Sequence, residues 1–273
     1  MKHTKKLLVL VVILFAASTM QAQIHNLGFM IGKSSYFGDL NNTINTKIMS
    51  NDVGFWYKYN VNPYWGVRVG YLNTNVGAAD TLSNVAWRKQ RNLSFSSKIS
   101  ELSVVGEMNL FKFVPYSTLY TFTPYIFAGV SVVGFNPTAE YAGNVYELQL
   151  LGTEGQSLSG RGATPYKLQQ LAIPMGGGIR YNVGDGHSIG LELSGRLVLT
   201  DYLDDVSGYY QDYDLIFSRS GEIAANVADR SPEIGLSNNP VGRLRGNPNT
   251  RDWFGFMNIT YSYTIKAGNC PQF

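Results

Sequence analysis

The sequence lacks most of what enzymes use. Histidine occurs three times in 273 residues. His3 falls in an N-terminal export segment, His25 stands near the start of the mature chain, and His187 lies on a turn edge. No Ser–His–Asp set and no metal cluster can be assembled from that supply. The expected protein is therefore not an enzyme and has no cofactor. Cysteine occurs once, at Cys270, which excludes an internal disulfide and leaves one thiol. Charged residues make up only 15%, and the net charge of +3 vanishes once Lys2, Lys5 and Lys6 are removed with the export segment. No basic patch remains that would bind nucleic acid. Beyond the N-terminus there is no apolar run of about 18 residues, so no helical membrane span is expected.

The export segment reads as a signal peptide over residues 1–23. Three lysines precede the apolar run Leu7–Ala17, and Met20-Gln21-Ala22-Gln23 supplies the small-residue cleavage region, with the cut after Ala22 or Gln23. No cysteine follows the run, so a lipoprotein anchor is excluded.

What the chain has is alternation. From Ser188 to Leu199, the residues Ile189, Leu191, Leu193, Leu197 and Leu199 share one face with Gly195, and Ser188, Glu192, Ser194 and Arg196 share the other. Side chains switch faces at every residue of a strand, so this is a strand with an apolar wall and a charged wall. About a dozen residues suffice to cross a bilayer as a tilted strand. The same pattern recurs, predicting strands at about 27–36, 53–60, 65–73, 99–111, 122–135, 168–181, 188–199 and 253–265. The strand at 122–135 is apolar on both sides, so its faces are ambiguous. Connections alternate long and short, and Tyr (18), Phe (14) and Gly (29) are abundant. The expected fold is all-β, an eight-stranded antiparallel up-and-down transmembrane β-barrel over residues 24–265 with long extracellular loops. A periplasmic tail follows over 266–273. Both termini are expected in the periplasm, with the barrel in the outer membrane.

Inward positions carry Arg68, Glu101, Glu107, Arg180, Glu192 and Arg196. Eight strands leave room only for side chains, and buried charges must be paired, so a salt-bridged plug is expected rather than an ion or proton path. Gly176-Gly177-Gly178 has no P-loop lysine and opens no helix, so it marks a crowded strand. The carboxylates Asp201, Asp204, Asp205, Asp212 and Asp214 miss the EF-hand spacing and read as a hydrogen-bonded loop base. Cys270 would sit in an oxidising compartment. It is either part of a free tail or the site of an intermolecular disulfide.

Three stretches resemble a known family. They are Ser34-Ser35-Tyr36-Phe37-Gly38-Asp39-Leu40 after the first strand, Thr200-Asp201-Tyr202-Leu203-Asp204-Asp205-Val206-Ser207 with Tyr209-Tyr210 after the seventh, and Asn269-Cys270-Pro271 at the end. In order and spacing these resemble PorG-like proteins, outer-membrane barrels of the type IX secretion system. The resemblance implies a structural role, tethering a periplasmic ring of a PorK-like lipoprotein and its PorN-like partner to the outer membrane. The large secretion-channel barrel is a separate component and a further possible contact, beside outer-membrane lipids. No catalytic residue carries over, and Cys270 matches the position for partner attachment. The alternative is a free-standing small barrel with surface-binding or adhesive loops. A membrane enzyme or narrow channel is the third reading.

Overall fold

The computed structural model describes residues 24–43, 46–156 and 164–266. The expected signal peptide and the tail with Cys270 lie outside these described residues. Among the described residues nine strands follow one another: β1 (Ile24–Phe37), β2 (Ser50–Asn60), β3 (Trp65–Ala79), β4 (Ser94–Asn109), β5 (Phe122–Tyr141), β6 (Asn144–Glu147), β7 (Gln169–Gly184), β8 (His187–Val198) and β9 (Trp253–Lys266). All are antiparallel to their neighbours. β1 pairs with β9, and β4 with β5, so eight of them close into a barrel. The ninth, β6, is a short hairpin partner for the end of β5.

From Gly32, register partners lead one way through Asp52, Thr74 and Ile99 to Phe135. The other way they lead through Asn258, Glu192 and Gly178 to Tyr125. The ten-residue offset between Phe135 and Tyr125 is the shear that tilts the strands. Closure at this strand number leaves a lumen that side chains can fill.

Outward positions over the middle of the barrel form an apolar belt. Phe55, Val69, Leu102, Val130, Leu191 and Ile259 are all exposed on it. Tyr57, Trp65, Phe122, Tyr181 and Tyr263 ring its edge on the side of the short turns. An apolar band with an aromatic girdle over a polar interior is the architecture of a small outer-membrane barrel, and closure pairs the edges of the eight barrel strands.

The strands run further than the sequence reading predicts. β3 continues past Asn73 to Ala79, β4 begins at Ser94 rather than Ile99, and β5 reaches Tyr141 rather than Phe135. In these extensions the polarity inverts. Val76, Ala78, Phe95 and Ala139 are buried inside, while Ser96 and Lys98 face out. The barrel therefore projects beyond the belt, where water replaces lipid outside. Among the described residues, four short α-helices lie in the long connections: α1 (Ala86–Arg91), α2 (Leu148–Leu151), α3 (Tyr213–Ser220) and α4 (Glu222–Ala228).

Candidate functional site

The ambiguous strand β5 resolves first. Tyr125, Phe127, Val133 and Phe135 point inward and are buried, while Ile126, Val130 and Val132 point out. Both faces are apolar because the inner aromatics pack against cations. The Arg68 guanidinium lies 4.4 Å from the Phe127 ring centroid, and that of Arg180 lies 4.3 Å from Tyr125.

All six expected charges face the lumen, each no more than 4% exposed. They form two groups rather than one network. Glu107 Oε1 accepts from Lys58 Nζ at 2.7 Å and from an Arg180 nitrogen at 2.8 Å. Arg68 donates to both oxygens of Glu192, at 2.7 and 3.4 Å, and approaches Glu107 Oε2 at 3.7 Å. The Tyr125 hydroxyl donates to Glu192 at 2.9 Å. Arg196 and Glu101 make a separate pair nearer the loop end, with Nε 2.8 Å from each carboxylate oxygen. Lys58 and Tyr125 are absent from the sequence-based set. Lys58 could have been found there, because it sits on the polar register of β2 between outward Tyr57 and Tyr59. The physical result is a closed plug: Glu101, Glu107 and Glu192 are each met by a cation, as burial requires.

Towards the loop end the lumen turns apolar, with Met30, Leu72, Ile99, Val133, Leu203 and Phe254 in one buried cluster. A cap made from the long connections closes it, and both internal family-like motifs meet there. The Tyr36 hydroxyl lies 2.5 Å from Asp204 Oδ2 and 2.7 Å from Asp252 Oδ1. One hydroxyl hydrogen serves only one of them. Burial, reinforced by the Asp252 charge, raises Asp204 well above the usual carboxylate range, and burial pushes Asp252 up to about 7. A protonated carboxyl supplies the second hydrogen bond. Asp201 is pushed up to about 8 by burial and by Asp252. Gly38 permits this knot, because a Cβ there would stand 2.0 Å from the Tyr36 hydroxyl oxygen and 2.1 Å from Asp252.

Two arginines lace the loops together. Arg245 donates to Glu154 at 3.0 Å and to the carbonyls of Asp205 and Ala228. Arg91 donates to Asp80 through two nitrogens, at 2.7 and 2.8 Å, and to the carbonyls of Arg245 and Asp39. Asp39 Oδ2 accepts from the Asn247 amide at 2.8 Å. Asp205 takes hydrogen bonds from Tyr166 and Thr153 in a left-handed backbone conformation, φ 66°, that aspartate tolerates better than most residues. Burial pushes its carboxyl up to about 6 against the Arg245 charge. Leu40 and Tyr210 are buried in the cap, Tyr202 stacks on Tyr166 at 4.7 Å, and Tyr209 is exposed. Asp212 instead caps α3, accepting from the Leu215 amide at 3.1 Å. The loop-base reading of these carboxylates thus holds for Asp204 and Asp205. No sequence period marks Glu154, Arg245, Arg91 or Asp252, which lie in irregular connections. Among the described residues no His, Cys, Asp or Glu cluster is arranged to hold a metal.

No curated protein matches this chain significantly. Among solved structures it is similar to Ail of Yersinia pestis at 10% identity and a TM-score of 0.42, covering 90% of this chain and 100% of that one. It is similar to OprG of Pseudomonas aeruginosa at 10% identity and a TM-score of 0.39, covering 90% and 97%. Neisserial surface protein A gives 7% identity, a TM-score of 0.39, and coverage of 89% and 97%. A family model described as a domain of unknown function, DUF6089, matches residues 5–229, and the chain belongs to that family.

Proposed function

We propose that this chain is a non-enzymatic outer-membrane barrel of the type IX secretion system that anchors or organises a periplasmic ring of PorK-like and PorN-like proteins. The filled lumen carries the reading. Lys58, Arg68, Arg180 and Arg196 lock onto Glu107, Glu192 and Glu101 across it, leaving a scaffold rather than a conduit for folded cargo. The sequence resemblance supplies the system. Its two internal motifs share one structural task, since Tyr36 of the first binds Asp204 of the second. In this reading the short turns and both termini face the periplasm. Cys270 then stands where a ring component can reach it, and the cap faces outward towards the secretion-channel barrel.

The test is crosslinking and gentle-detergent pull-down from native envelopes, with and without reductant. Recovery of ring proteins, through a reductant-sensitive adduct that the Cys270→Ser variant loses, is the expected result. Recovery of the barrel alone across several detergents would overturn it. A second reading, a free-standing barrel with surface-binding loops, is favoured by the laced cap, which holds clefts of ≈ 250 Å³ beside Trp87 and ≈ 270 Å³ beside Tyr213. Recovery of the barrel alone would move that reading to the front.

A further inference from the structure

The apolar belt is not equally tall around the barrel. With a rise of about 3.3 Å per residue and a tilt of about 40°, a strand advances about 2.5 Å along the barrel axis per residue. The ten-residue shear, spread over eight strands, displaces equal heights from register partners by about 1.25 residues per strand. From Trp65 on β3, partners run through Met108 and Ile126 to Gly177, and three such displacements bring Tyr181 on β7 to its height. Both belong to the aromatic edge on the side of the short turns, so that edge of the belt is level. The other edge is not. From Asn73, partners run through Ser100 and Gly134 to Gln169, which sets Asn73 level with Ile173. From Ser100, partners run five strands the other way to Leu191, which sets Ser100 level with Leu197. Outward residues are apolar over 53–59 on β2 and 65–71 on β3, but over 171–181 on β7. The belt is thus about 15 Å tall on β2 and β3 and about 25 Å tall on β7. The taller side matches the ~25 Å band of an outer-membrane barrel, and the shorter side falls below it.

Beyond the short side the outward residues are polar. Asn51, Asn73, Ser96, Lys98 and Ser100 are all exposed there. They bond along the wall. Lys33 Nζ donates to Asn51 Oδ1 at 2.7 Å, Ser100 Oγ to Asn73 Oδ1 at 3.2 Å, and Asn73 Nδ2 to the Tyr71 hydroxyl at 2.6 Å. Side chains that bond to one another on an open wall call for a polar solvent rather than a shaped partner. Among the described residues no carboxylate faces out over 31–37, 51–53, 73–79 or 94–100, so Lys33 and Lys98 leave the patch positive. Acyl chains cannot meet the remaining hydrogen bonds of such a wall. Phosphate-bearing headgroups and their water can, and the lysines attract them.

We propose that the leaflet at the loop end is drawn down along β2–β4, so that headgroups and water cover this patch at a height where acyl chains cover β7 and β8. The apolar runs of β7 and β3 differ by four residues, ten steps against six, so the depression is about 10 Å deep. A bilayer meets a short belt by thinning locally. The thinned side is where a neighbouring membrane protein with a short belt meets least mismatch, so it selects the wall on which the barrel takes lateral neighbours. The proposal needs only a membrane-embedded wall and is independent of any role in secretion.

Spin labels on single cysteines test it, in the full-length Cys270→Ser chain reconstituted into vesicles of phosphatidylethanolamine and phosphatidylglycerol. Collisions with oxygen, which concentrates among acyl chains, and with a water-soluble nickel chelate read the depth of each label. Asn73→Cys and Ser100→Cys should report headgroup depth. Ile173→Cys and Leu197→Cys, at the same heights on the barrel, should report acyl chains, about 5–10 Å deeper. Val67→Cys and Ile179→Cys, two residues above Trp65 and Tyr181, should agree with each other. Heat-modifiable gel migration checks that each variant folds. Asn75→Cys and Leu171→Cys, two residues above the first pair, stand in for any that does not. Equal depths within the upper pairs would overturn the proposal. So would a split in the lower pair equal to that in the upper ones, because the whole barrel would then lean. A label at Asn73 shielded from both reagents would overturn it too, by showing that protein, such as a second copy of this chain, covers the patch.

Discussion

The belt and the projecting end of the barrel use the same strands with opposite polarity. On β4, Leu102 and Val104 face lipid while Glu101 and Glu107 fill the lumen. A few residues earlier on the same strand, Ser96 and Lys98 face out, and Phe95 and Ile99 are buried inside. The period-two alternation is unbroken across the change. What changes is the medium outside. Lipid makes the exterior the favourable place for apolar groups and leaves the lumen to paired charge; water reverses that, and the end of the barrel packs like a soluble protein. The boundary between the two zones is therefore written in side-chain polarity, not in backbone geometry.

The largest expected effect comes from breaking the charged half. Glu107→Ala leaves Lys58 and Arg180 buried without their shared carboxylate, and removing one partner of a buried pair costs about 3–5 kcal/mol. Urea unfolding of the reconstituted barrel, followed by tryptophan fluorescence, reads this. A loss under about 1 kcal/mol would mean that the charges are not held as a plug.

A paired comparison on one strand sharpens the boundary. Leu102→Lys puts a cation in the belt and should cost about 2–4 kcal/mol in lipid. Ser96→Lys puts the same side chain on the watery side and should stay within about 0.5 kcal/mol. Equal costs at the two positions would erase the distinction between the zones.

The smallest effect is confined to the cap and depends on pH. Asp252, Asp205 and Asp201 hold their protons up to about 7, 6 and 8, whereas the unfolded chain loses them near 3.8. The folded cap thus binds more protons than the unfolded one between about pH 4 and 8, so its stability falls as pH rises through that window. Asp204 and Asp252 share the Tyr36 hydroxyl and accept from the Val206 and Leu203 amides, with no arginine among these partners, which is why protons do here what Lys58 and the arginines do in the lumen. Hydrogen-exchange protection at residues 201–210, corrected for the base-catalysed rise in intrinsic exchange, should fall from pH 5 to pH 8 while that of the belt strands stays constant. Asp252→Asn should flatten that profile, and an unchanged profile in this variant would remove Asp252 from the explanation.

Much of this was legible beforehand, for local reasons. Leu102, Glu107, Glu192 and Leu193 announce their faces by alternation alone, and the long–short rhythm of the connections gives the topology. The strand extensions were missed because an apolar exterior was the signal sought, and at Val76 and Phe95 the signal reverses. The cap was only half visible. Asp204 and Asp205 stand out as loop carboxylates, but Tyr36, Tyr166, Arg245 and Asp252, which meet them, come from three separate stretches of the chain.

The sequence by itself determined the eight strands of the barrel, the faces of all but β5, six of the lumen charges and the membrane class, because each follows from which neighbours share a side of a strand. Only the tertiary structure decided which charge meets which, where the polarity inverts, how the two motifs join at Tyr36, and that Ser100 on one wall stands level with Leu197 on another. Those facts depend on a ten-residue shear that sets residues from distant strands at one height, and alternation within any single strand carries no record of it.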